Sequence, residues 1–85
     1  MKTRKQMRNV FIRKIDDILI RYYKEINFAL LVSTQTEEIR SMEATYLREV
    51  LELLALMHEL ELISDSEHVL LRQVYREYFS LATSR

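Results

Sequence analysis

The sequence predicts an all-α protein: an antiparallel three-helix bundle with very short connections, dimeric or partner-bound. Three observations predict this. The 85 residues contain no glycine and no proline, where average usage would supply roughly ten of the two together. Apolar residues recur at helical spacing through three stretches. Two Ser/Thr-containing turn signals, each followed by a glutamate at helix-cap spacing, divide those stretches. Without glycine, tight β-hairpin turns lack their supply of positive φ. Without proline, nothing interrupts a helix.

The first helix is expected over roughly 4–32. On a wheel of 100° per residue, Phe11, Ile12, Ile15, Ile18, Leu19, Tyr22, Tyr23, Ile26, Ala29 and Leu30 fall in an arc of roughly 140°. Arg13, Lys14, Asp17, Arg21, Lys24 and Glu25 lie opposite. Ile20, Phe28 and Leu31 fall outside the arc and form a secondary candidate contact patch.

The first turn follows, with Thr34 and Glu37 at capping-box spacing and Glu37 and Glu38 in the next helical turn. The second helix is expected over 36–62 and carries two apolar stripes. One is Ile39, Met42, Tyr46, Val50, Leu53, Met57 and Leu60; the other is Leu47, Leu51, Leu54 and His58. Together they span roughly 220°, more than one helix of a monomeric bundle needs. Leu47, Leu51, Leu54 and His58 are therefore the leading candidates for a protein interface, against a second copy or another partner. Ser64 with Glu67 marks the second turn, and the third helix is expected over 65–82. Connections this short make successive helices antiparallel.

The chain reads as one small helical domain. At this size the buried fraction of surface is modest, and small domains rely on disulfides, metals or partner chains. There is no cysteine, which removes disulfides and any thiol nucleophile and fits a reducing compartment. No apolar run approaches the roughly 20 residues of a membrane span. Arg13, Lys14, Asp16 and Asp17 break the apolar core that a signal peptide needs. The expected location is cytoplasmic, without a membrane partner.

Net charge is zero but unevenly spread. Residues 1–14 carry +6, while residues 37–67 carry −7, nine acids against Arg40 and Arg48. In an antiparallel bundle the basic start of the first helix meets Glu59, Glu61, Asp65 and Glu67, so charge balance is the first reading of the basic end. The alternative is a mobile basic arm over residues 1–6, since cations oppose the dipole at a helix start. Lys2, Arg4, Lys5 and Arg8 would then contact phosphates of nucleic acid.

Constellations for catalysis do not assemble. Adjacent Asp16 and Asp17 point about 100° apart on a helix. His58 and His68 lack the His-x-x-x-His spacing of a helical metal site. Tyr22, Tyr23, Tyr75 and Tyr78 lie on apolar arcs, where they serve as core before they serve as stacking platforms. No catalytic residue, cofactor or metal is expected.

Residues 51–79, LELLALMHELELISDSEHVLLRQVYREYF, resemble the helical hairpin of the short C-terminal domain (SHOCT) family. The match centres on Leu62-Ile63-Ser64-Asp65-Ser66-Glu67; Glu61 stands where that pattern has glycine, and His68 where it has an aromatic. The resemblance implies oligomerisation or an accessory interaction module. The expected function is a small non-enzymatic protein-interaction factor (an inhibitor, adaptor or accessory regulator); the alternative is a dimeric nucleic-acid-binding regulator.

Overall fold

The computed structural model describes residues 3–32 and 35–80, with three helices and no strand among them. They are α1 (Arg4–Leu31), α2 (Thr36–Glu59) and α3 (Asp65–Tyr78). At 1.5 Å per residue they are about 42, 36 and 21 Å long, so α3 spans only half of α1. Lys2 and Thr34 lie outside the described residues, and with Thr34 the cap expected before α2.

α1 begins at a capping box. The Thr3 hydroxyl accepts the Gln6 backbone N–H at 3.1 Å, and the Gln6 side-chain oxygen accepts the Thr3 N–H at 2.8 Å. Two orphan donors are thereby satisfied, and Arg4, Lys5 and Gln6 are helical, in the stretch where the charges alone allow a free arm. α3 starts the same way. Ser64 Oγ accepts from Glu67 N–H, and Glu67 Oε1 accepts from Ser64 N–H, both at 3.1 Å.

Between them, α2 stops three residues before its expected end at Leu62. The Leu62 N–H donates to the Met57 carbonyl at 2.9 Å, and the Glu61 N–H to the His58 carbonyl at 3.0 Å. This is a Schellman cap. Its left-handed position is Glu61, at φ 59°, where glycine is usual. Leu62 and Met57, three positions into the helix, are both buried in the core, the apolar contact that accompanies this cap.

α2 is the middle helix, packed against both α1 and α3. Paired residues run in opposite order along α1 and α2. Arg4 and Met7 lie beside Leu60–Leu62, Arg21 pairs with Glu49 at 3.6 Å, and Phe28 and Ala29 neighbour Glu38 and Met42. The wide apolar arc of α2 follows from this placement, because it serves two neighbours within one chain. α1 and α3 meet through long side chains instead, Arg8 with Glu67 and Tyr22 with Tyr78 and Phe79. The described chain is elongated and shallow, 47 × 23 × 14 Å.

Tyr22 is the hub of the core. Its ring lies 5.8 Å from Tyr46, 5.8 Å from Tyr78 and 4.7 Å from Phe79, in the tilted and edge-on arrangements that aromatic pairs prefer. Its hydroxyl donates to Glu43 Oε2 at 2.7 Å. Glu43 is only 4% exposed, and a buried carboxylate is tolerated where hydrogen bonds compensate its lost hydration.

Candidate interaction surface

α3 folds back along the side of α2 that carries Leu47, Leu51, Leu54 and His58. Leu54 is 1% exposed and belongs to the core. Leu47 and Leu51 are half-buried against that core. The half-buried His58 ring stacks on His68 with centroids 4.6 Å apart, and its Nε2 is hydrogen-bonded to Asp65 Oδ1. Leu54 is therefore corrected as a docking residue, because it is enclosed within this chain, and His58 packs on α3 through His68 and Asp65. The Glu61 turn is what brings α3 there.

Ile20, Phe28 and Leu31 are exposed, Leu31 to 83%. They do not share one patch. Ile20 and Leu31 point away from α2 and stand about 16 Å apart along α1. Phe28 turns toward the start of α2, where with Ala29, Val32 and Met42 it lines an open cleft of about 480 Å³. Lys24, Glu25 and Glu38 also line it.

The largest departure from the expected core lies between α1 and α3. Taking Tyr22 as inward, Ile12, Leu19 and Tyr23 project roughly 60–100° toward the side where Arg8 meets Glu67. Taking Tyr75 as inward on α3, Leu70 and Val74 project roughly 100–140° toward α1. Both flanks carry exposed apolar side chains. Because α3 leans on α2, it does not cover them. Tyr23 is 62% and Leu70 60% exposed, and Ile12 and Val74 are exposed as well. The signal for this flank is the heptad-like spacing of Ile12, Leu19, Tyr23, Ile26 and Leu30, which an amphipathic arc merges with the core stripe.

The basic end is partly balanced. Arg8 Nη2 meets Glu67 Oε2 at 3.2 Å with both side chains well exposed. Glu67 sits below the usual carboxylate range, first because the Ser64 backbone N–H bonds it, and further through Arg8 and Arg4. Arg4 and Lys5 remain exposed in the first turn of α1.

The buried Tyr22–Glu43 bond escapes a reading by residue type, since a glutamate is assigned to the surface. Its signal is position: Glu43 continues the core register Ile39, Tyr46, Val50. Burial first, then Glu43, holds the Tyr22 hydroxyl well above the usual phenol range. Burial and the neighbouring Glu25 carboxylate push Tyr46 up to about 12. Both phenols therefore stay protonated in ordinary buffers and serve as donors.

Among the described residues no three His, Cys, Asp or Glu side chains come together as a metal site, and no helix is long and apolar enough to cross a membrane. Comparison with family models, curated proteins and solved structures finds no match to this chain.

Proposed function

We propose that this is a small protein-interaction factor, an inhibitor, adaptor or accessory regulator that acts by binding and not by catalysis. The observation that carries the reading is the exposed apolar surface of Ile12 and Tyr23 on α1 and of Leu70 and Val74 on α3. Exposed apolar side chains in this number on a small domain mark an interaction site, and an amphipathic helix is an occupant that would bury them. A second copy of the chain, offering its own α1, is the simplest occupant. Ile20, Phe28 and Leu31 supply further apolar contact around the rest of α1. Glu61, left-handed where the SHOCT pattern has glycine, adds support for an accessory interaction module. The lack of cysteine fits a cytoplasmic setting.

Solution mass by light scattering after size exclusion, measured across protein concentration, tests this. The wild type should associate, and Leu70→Glu with Val74→Glu should remain monomeric with helicity unchanged. A double variant that associates as the wild type does would remove this face of α3 from the interface. A wild type that stays monomeric at every concentration would remove the second copy as occupant.

The exposure of Arg4 and Lys5 supports a second reading, a dimeric regulator whose basic end meets nucleic acid. Phosphate contacts make affinity fall steeply with salt. Arg4→Ala with Lys5→Ala should then abolish binding to a mixed-sequence duplex. Absent or salt-insensitive binding dismisses this reading.

A further inference from the structure

The face that α3 turns toward α2 carries an imbalance of charge. His68 lies half-buried against His58, rings 4.6 Å apart and inclined by 28°. One turn further along α3 is Arg72, which is always charged. The His68 Nε2 and Arg72 Nε atoms are both buried without a hydrogen-bond partner. Asp65 is the acid whose charge acts on His68, and it is itself highly exposed and bonded to His58. The α1 charges at this end, Arg8 and Arg4, both act on Glu67, and Arg8 pairs with it directly. Three basic side chains from two helices thus converge where a neutral imidazole fits and a charged one does not.

We propose that His68 makes α3 a pH-sensitive cover over the Leu51 and Leu54 stripe of α2, closed while the imidazole is neutral and loosened when it takes up a proton. Protonation places an N–H with no acceptor in a buried position, one turn from a guanidinium and face to face with a second imidazole. Burial first, then Arg72 and His58, lowers the His68 pKa below its ordinary 6.5, against a smaller pull from Asp65. The sign follows from linkage. A base that is harder to protonate in the folded chain favours the fold fully above pH 6.5, and that contribution is lost as pH falls through the lowered value. The loss falls on α3, whose own helical residues include none that is fully buried. α1 and α2 hold most of the core between them. Acid therefore exposes the second apolar stripe of α2 before it unfolds the hairpin of α1 and α2.

The proposal needs no partner, so it stands or falls separately from the function proposed above. Amide hydrogen exchange of the intact chain, corrected for intrinsic rates, is followed from pH 8 to pH 5. The expected result is a loss of α3 protection below pH 6.5 that exceeds any loss in α1 and α2. In His68→Gln, which cannot titrate, the α3 loss should shrink to match the hairpin. If α3 protection in the wild type follows the hairpin at every pH, or if His68→Gln loses it as the wild type does, the proposal is overturned. Should His68→Gln fail to fold, the ring resonances of His68 in the wild type decide. Titration at or above 6.5 overturns the proposal, and titration below it with parallel shifts in α3 amides supports it.

Discussion

Replacing Glu61 with glycine separates two readings of the α2–α3 turn by sign. Glu61 has φ 59°, and it is the only non-glycine residue with positive φ among those described. An L-residue pays about 1–2 kcal/mol in this left-handed region. Glycine removes that strain but adds backbone freedom to the unfolded chain, worth roughly 0.5–1 kcal/mol against the fold. The net expectation is a gain of about 0.5–1 kcal/mol. For a domain of this size that corresponds to a rise in Tm of about 2–8 °C. Glu61 lies near Arg4, so Glu61→Gln serves as the reference that removes the charge alone. Melts of Glu61→Gly and Glu61→Gln, followed by circular dichroism at 222 nm and one protein concentration, give the backbone contribution. Had α2 continued helical to Leu62, as apolar spacing predicts, glycine at 61 would destabilise by about 1 kcal/mol. A Tm for Glu61→Gly below that of Glu61→Gln would therefore refute the Schellman cap.

Two further substitutions test the core and the third helix. Tyr22→Phe deletes the hydroxyl that donates to Glu43. Hydrogen bonds to charged groups contribute about 1.5–3 kcal/mol, so urea unfolding should show a loss of that order; a loss below about 0.5 kcal/mol would mean the bond is marginal. Ser64→Ala removes the cap of α3 and should cost about 1 kcal/mol, with hydrogen exchange faster in the first turn of α3 than in α1. Equal exchange in both would argue against the cap.

The helices and one of their caps were legible because they depend on neighbours in sequence. The absence of glycine and proline, the spacing of Ile15, Ile18, Tyr22 and Ile26, and the Ser64–Glu67 pair act within a turn or two of backbone. The Thr3–Gln6 box is equally local, with glutamine in place of glutamate amid basic residues. The candidate site was less legible. Leu54 and Leu70 both read as apolar face, yet one is enclosed and the other exposed. Glu43 reads as surface and lies in the core, held by a tyrosine 21 positions earlier.

Sequence alone determined that this chain is helical and roughly where its helices begin. Tertiary structure decided which apolar side chains are covered and which stay exposed. Periodicity places a residue around its own helix axis and carries no information about which neighbour stands beyond it. That neighbour is set by turn dihedrals, here the left-handed Glu61, which lays a short α3 against α2. The placement covers Leu51 and Leu54, stacks His68 on His58, and leaves Ile12, Tyr23, Leu70 and Val74 in the open.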